Sequence, residues 1–221
     1  VADFNGSARA ASVDRAFFEK LGMQLVGIAE NAGNIVHGII PEGKNLATCA
    51  AKIEALHRSN PAQAENTLFG YMPDCDGDRG NIIYWDEAQQ KALILEAQEV
   101  FALSVIAELS YLHYRGNTGA PLAVTVNGPT SLRINEIAKA LDAEIFYAEV
   151  GEANVVNRAE DARRYGYTVR ILGEGSNGGN ITYPAAVRDP LNTLFAISKL
   201  LLIKDTPDRS CPFRIWCERS G

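Results

Sequence analysis

Three aspartates at alternate positions, Asp74, Asp76 and Asp78, stand between two apolar stretches, and Arg79 follows the third at once. Leu68-Phe69 leads into the segment and Ile82-Ile83-Tyr84-Trp85 leads out of it. The second run reads as a strand. In a tight loop, alternate side chains can converge on one point. Gly77 lets the backbone turn sharply between the second and third carboxylates. Three hard oxygen donors in one place suit Mg²⁺, Mn²⁺ or Ca²⁺ rather than zinc, which prefers nitrogen and sulfur. Arg79 is a fixed cation able to hold a phosphate or a substrate oxygen beside a metal. An EF-hand would need Gly at its sixth position and Glu at its twelfth, and Arg79 and Trp85 stand there instead. A merely solvated acidic turn gives no reason for the apolar runs on both sides.

The whole chain narrows the field further. A length of 221 residues suits one large domain or two small ones. The formal net charge of −6, with no basic cluster, argues against a nucleic-acid partner. No apolar run is long enough to span a bilayer and no charged-then-apolar leader opens the sequence, so a cytoplasmic location is the expectation. Cys49, Cys75, Cys211 and Cys217 form no C-x-x-C pair. Cys211 and Cys217 flank a short apolar segment and could pair, although a cytosolic chain is expected to keep them reduced. His37, His57 and His113 have no metal-ligand spacing with cysteine.

Read in order, the chain repeats one grammar. The opening residues run as a strand into Gly6-Ser7, and a helix starts near Ser12 and ends at Gly22. Residues 23–28 read as a strand, giving a β-loop-α-β unit and hence a parallel sheet. Leu46, Cys49, Ile53 and Leu56 mark a helix by their spacing. Asn60 to Asn66 reads as a turn, Leu68 to Tyr71 as a short strand, and Glu96 to Tyr114 as a long apolar helix. Residues 115–121 have linker composition and mark a domain boundary. Beyond it come a strand at 122–126, a loop at 127–130, a helix at 131–141, and a strand at 144–148. A charged helix follows at 152–165, then a strand at 169–172 that opens into Gly173-Glu174-Gly175-Ser176. A helix covers about 191–203, and the tail carries no clear structural signal. The fold expected is α/β: two tandem three-layer α/β/α domains with mixed, mainly parallel sheets, at 1–115 and 120–221.

Asp74-Cys75-Asp76-Gly77-Asp78-Arg79 resembles the D-G-D-x-D-R metal loop of the α-D-phosphohexomutases, the phosphoglucomutases and phosphomannomutases, with Cys75 where that family usually has Gly. The phrase Pro41, Glu42, Asn45, Leu46 resembles the family segment ahead of that loop, more weakly. Gly173-Glu174-Gly175-Ser176 resembles the family's G-E-x-S sugar-recognition loop. A Glu and a Ser two apart offer an acceptor and a donor-acceptor hydroxyl, which adjacent sugar hydroxyls need. The resemblance implies that Asp74, Asp76 and Asp78 bind Mg²⁺, that Arg79 helps neutralise a transferring phosphoryl group, and that Glu174 and Ser176 hold a phosphosugar. It covers nearly all of this chain but only the two central domains of a four-domain family. It implies that a phosphoserine domain and a C-terminal phosphate-gripping domain belong to the parent protein.

The sequence also departs from that pattern. Asn177-Gly178 stands where many family members have Gly-His, Glu152 where a Lys or Arg often follows Val-Gly, and Asp189-Pro190 where Asp-Gly is common. No Ser-His-Asn-Pro phrase is present. The missing serine phrase, Cys75 in place of Gly and Gly178 in place of His support one rival, a catalytically silent sugar-phosphate-binding protein. A second rival is a phosphatase of the haloacid-dehalogenase type, with Asp74 as nucleophile and Asp76 as acid. Against it, Met72-Pro73 reads as a break in the apolar strand that such a loop needs before its first Asp.

Overall fold

The structure is a computed structural model describing residues 1–116, 119–177 and 179–203. Cys211, Cys217, Gly178 and the tail discussed above lie outside the described residues. The chain divides into two compact units, Val1–Glu96 and Ala97–Gly221.

The first unit contains β1 (Ala2–Asp3), α1 (Asp14–Lys20), β2 (Gly27–Ile28), α2 (Ala47–Ser59), the short α3 (Pro61–Ala64), β3 (Gly70–Pro73), β4 (Gly80–Asp86) and β5 (Lys91–Ile94). Its sheet has the order β2-β1-β3-β4-β5. The β1 strand is parallel to both β2 and β3, while β4 and β5 return antiparallel. Alternation along β3 builds the layers. Met72 faces α2, packing with Leu46, Cys49, Ile53 and Ile83. Tyr71 faces the other way, its ring 6.4 Å from Phe18 of α1 and 6.2 Å from Phe4. One helix on each face makes three layers. The helical spacing of Leu46, Cys49, Ile53 and Leu56 is therefore core spacing, and all four are buried. Burial at Cys49 pushes its thiol up to about 12, so it packs as a small apolar side chain. Asn60 caps α3, its side chain accepting from the Gln63 N–H, which turns the expected turn into one helical turn.

The second unit contains α4 (Ala97–Tyr114), β6 (Leu122–Asn127), α5 (Arg133–Ala140), β7 (Ala143–Ala148), α6 (Glu152–Arg164), β8 (Thr168–Glu174), β9 (Gly179–Thr182) and α7 (Pro190–Leu202). Its sheet order is β7-β6-β8-β9, parallel except for β9. On β6, Leu122, Val124 and Val126 pack toward α4, α5 and α7, and Ala123 packs toward α6. On β8 the register against β6 slips between Val169 and Leu172, so one extra residue is inserted. The slip reverses the alternation. Val169 and Leu172 both join the α6 side, while Ile171 joins the α4 side. Arg170 also reaches the α4 side, where it pairs with Glu108 at 3.1 Å.

The helix expected to close the first domain opens the second. The apolar face of α4 (Phe101, Val105, Ile106, Leu109, Leu112) packs with Leu122, Val124, Val126 and Ile171, so the compact units meet at 96/97 rather than at residues 115–120. Composition at 115–121 marks a turn, and only the packing of α4 shows which sheet owns the helix. The short β5 and β9 were also not anticipated. Both are antiparallel return strands of four residues, too short for a clear alternation.

Glu108 is 1% exposed on α4 and is held by Arg170 from β8 and by Lys199 from α7. Glu108→Ala leaves two cations facing an apolar wall. Both can turn partly toward water, so the loss is expected at about 3 kcal/mol, the low end for breaking a buried pair. The midpoint of chemical denaturation followed by circular dichroism measures it. A loss under about 1 kcal/mol would show that the cluster does not hold α4 and α7 to the sheet.

Candidate functional site

The metal-type loop connects β3 to its antiparallel partner β4, beyond the carboxyl end of β3. Open α/β sheets present ligands at this end. One carboxylate oxygen from each of Asp74, Asp76 and Asp78 lies within 4.8 Å of the other two. Asp74 is buried, Asp76 exposed and Asp78 intermediate. The structure thus gathers the three residues that sequence spacing had singled out.

Asp74 organises the loop. Its Oδ1 accepts from the backbone N–H groups of Gly77 at 3.0 Å and Arg79 at 3.1 Å. Its Oδ2 accepts from Arg79 Nε at 2.7 Å, and its own N–H donates to the Arg79 carbonyl at 3.0 Å. Burial alone would raise the carboxyl. The hydrogen bonds and charge of Arg79 outweigh it and hold Asp74 below its ordinary 3.8. The interaction therefore adds stability above that pH, and the gain is lost as pH falls toward the depressed folded value. Gly77 sits at φ +80°, and a Cβ there would meet Arg9 Cδ at 2.6 Å. Both the backbone and the neighbouring Arg9 require glycine. Arg9 is fixed in turn by Asp14 at 2.9 Å, and the Ala8 N–H donates to the Cys75 carbonyl at 2.9 Å. The small-residue loop after β1 is a brace for the aspartate loop.

Arg79 spends its Nε on Asp74 and lies 3.7 Å from Asp78. Its side chain is 34% exposed, so it presents a positive edge to solvent beside the three carboxylates. Met72 and Pro73 do not interrupt the strand, because β3 includes both. That sequence argument against a phosphatase nucleophile falls. A different one takes its place: Asp74 is 3% exposed, and a nucleophile has to reach the phosphorus of its substrate.

In the second unit Glu174 is the last residue of β8, not part of an exposed loop, and is 5% exposed. Its Oε1 accepts from Asn127 Nδ2 at 2.8 Å and from the Gly151 N–H at 2.7 Å. Thr130 Oγ1 donates to Asn127 Oδ1 at 2.7 Å and accepts from the Gly175 N–H at 3.0 Å. Ser176 follows in a turn of 3-10 helix and is exposed. Glu152, just after Gly151, accepts from the Arg188 N–H at 3.1 Å. Asp189 caps α7, accepting from the Leu191 N–H at 2.9 Å, with Pro190 at the first helical position. The sequence reading missed Asn127 and Thr130. The available signal was their place after a strand parallel to β8, where side chains at strand ends meet.

A phosphoglucomutase/phosphomannomutase family protein from Burkholderia thailandensis shares 19% identity at a TM-score of 0.70, over 92% of this chain and 40% of its own. A Paramecium parafusin, a phosphoglucomutase, shares 16% at 0.66, over 98% of this chain and 36% of its own. An Aspergillus fumigatus N-acetylphosphoglucosamine mutase, solved with GlcNAc-6P and magnesium, shares 14% at 0.50, over 90% and 42%. The fold is the one found in these phosphohexomutases, and the chain spans about 40% of the length of the first of them. No family model and no curated relative matches the sequence.

Removing Glu174 tests how its pocket is held. Glu174→Ala leaves Asn127 and the Gly151 N–H without an acceptor, at about 1–3 kcal/mol for each buried group. Glu174→Gln keeps an acceptor and loses only charge assistance, so about 1 kcal/mol is expected. Thermal melts of both variants check the order, and equal melting temperatures for the two would refute the pocket described here.

Proposed function

We propose that these residues are the metal-binding and sugar-binding portion of a phosphohexomutase, which interconverts hexose 1-phosphate and hexose 6-phosphate. The observation that carries this reading is the convergence of Asp74, Asp76 and Asp78 at a strand's carboxyl end beside a clamped Arg79. Its support is the phosphohexomutase fold and the second acid, Glu174, set at the corresponding end of β8.

The donor set fits a hard divalent cation: three carboxylates, no nitrogen or sulfur ligand among the described residues, and one member oriented by loop amides. Asp74, Asp76 and Asp78 would hold Mg²⁺, which when bound supplies charge stabilisation to a phosphoryl group. Arg79 adds a second positive charge whose direction is fixed before any ligand arrives, because its Nε is locked to Asp74. A group held in place costs no reorganisation during reaction. Glu174 is oriented in the same way by Asn127 and the amide of Gly151. Sugar hydroxyls would donate to Glu174 and exchange hydrogen bonds with Ser176.

On this reading, the serine that carries the phosphoryl group and the loop that grips the second phosphate belong to other parts of the parent protein. The parent is a cytoplasmic phosphoprotein that acts through a bisphosphorylated sugar. The silent sugar-phosphate binder would share the metal loop and the sugar pocket, and differ only in lacking that serine.

Two measurements follow. Calorimetry with Mg²⁺ or Mn²⁺ should show weak saturable binding to this chain, reduced at least tenfold in Asp76→Asn. Equal binding by both proteins would overturn the ligand assignment. A coupled assay of the purified chain with glucose 1-phosphate or mannose 1-phosphate should show no turnover, and measurable turnover would place a catalytic serine within these residues.

A further inference from the structure

A cleft of about 750 Å³ opens in the second unit, well away from Glu174. Its walls are the end of α4 (Tyr111, Leu112, Arg115), Arg163 of α6, Tyr167, the start of β8 (Thr168, Val169, Arg170) and Tyr183. Thr168 and Glu174 are the two ends of β8. Six residues of strand separate them by about 20 Å. The cleft is thus at the opposite end of the strand from the proposed sugar site.

The lining has an unusual balance of charge for an acidic chain. Three guanidinium groups line it, and Lys199 stands behind them over the Tyr111 ring at 4.9 Å. Against these four cations the buried Glu108 supplies one carboxylate, which Arg170 and Lys199 share. Among the described residues, Arg115 and Arg163 form no ion pair, and Glu160 acts on Arg163 only from beyond ion-pair distance.

Arg163 is also held in place. Its Nε and one terminal nitrogen donate to the Val169 carbonyl at 3.2 and 2.8 Å, and its plane lies 4.3 Å from the Tyr183 ring centre. Burial pulls it below its ordinary value, as expected for a guanidinium with no carboxylate partner. A guanidinium fixed along one edge presents its other edge to a bidentate acceptor such as phosphate. Tyr111, Tyr167 and Tyr183 add partly apolar surface beside it, with one face of Tyr183 taken by Arg163 and one face of Tyr111 by Lys199. The volume is in the range that encloses a small-molecule ligand.

We infer that this cleft binds a phosphorylated small molecule with a planar ring, of the nucleoside mono- or diphosphate class, with Arg115 and Arg163 on the phosphate and the tyrosines against the ring. The site is independent of the proposed mutase reading, since it uses none of Asp74, Asp76, Asp78 or Glu174.

Calorimetry on the full chain with EDTA present, using ADP, adenosine and inorganic phosphate as probes, tests the inference. ADP should saturate at submillimolar concentration and bind at least tenfold tighter than either fragment. Arg115→Glu should weaken ADP at least tenfold. Arg115 is exposed and its side chain makes no hydrogen bond or ion pair among the described residues, so that variant is expected to stay folded, with an unchanged melt. Arg163→Lys keeps the charge but loses the fork and should weaken ADP several-fold. Glu174→Gln should leave ADP affinity unchanged while affecting hexose phosphate binding. The inference fails if ADP does not saturate below millimolar concentration, or if phosphate alone binds as tightly. It also fails if Arg115→Glu binds normally, or if Glu174→Gln abolishes ADP binding.

Discussion

A carboxylate that is 3% exposed keeps its charge only when its surroundings supply the donors that water would have given. Asp74 meets that condition with two backbone amides and the Arg79 side chain. The consequences spread outward. The two amides fix the turn, the turn requires Gly77 at positive φ, and the space over Gly77 is filled by Arg9. Arg9 depends on Asp14 at the start of α1. A chain of close contacts therefore joins the first helix to the acidic loop.

The second unit repeats the device with different residues. In each unit a strand has a parallel neighbour on one side and an antiparallel return strand on the other: β3 between β1 and β4, and β8 between β6 and β9. In each, an acid stands where the strand gives way to the return turn. Asp74 is held from within its own loop. Glu174 is held by Asn127 from the neighbouring parallel strand and by the amide of Gly151. The common topology fixes where an acid can be both buried and directed outward. The local sequence decides what holds it.

The first of these acids was far easier to read from the sequence than the second. The aspartate cluster is local: its residues fall within one turn, so spacing alone brings them together. Glu174 was singled out through its loop motif, but its burial was not anticipated, because Asn127 lies 47 residues away and meets it only through parallel pairing of β6 and β8. The boundary between units was misplaced for a similar reason. Residues 115–121 look like a linker whichever sheet α4 packs on, and α4 is apolar over so much of its surface that periodicity does not point to one partner. The extra residue in β8 that sends Arg170 to Glu108 was hidden too, since a bulge appears only when two strands are aligned. Local clustering and the βαβ grammar of the sheets were legible, and the particular residues that strand pairing brings together were not.

On the proposed reading Asp74, Asp76 and Asp78 form one cation site on a loop held by the hydrogen bonds of Asp74. Paramagnetic broadening by substoichiometric Mn²⁺, read in amide NMR spectra, tests it most directly. The amides of residues 75–79 should broaden first, the amide of Asp86 at the far end of β4, six residues and about 20 Å along the strand from Gly80, should broaden only later, and Asp78→Asn should remove the selectivity without moving the chemical shifts of β3 and β4. Uniform broadening over all exposed acidic residues, or selective broadening that survives Asp78→Asn, would contradict it.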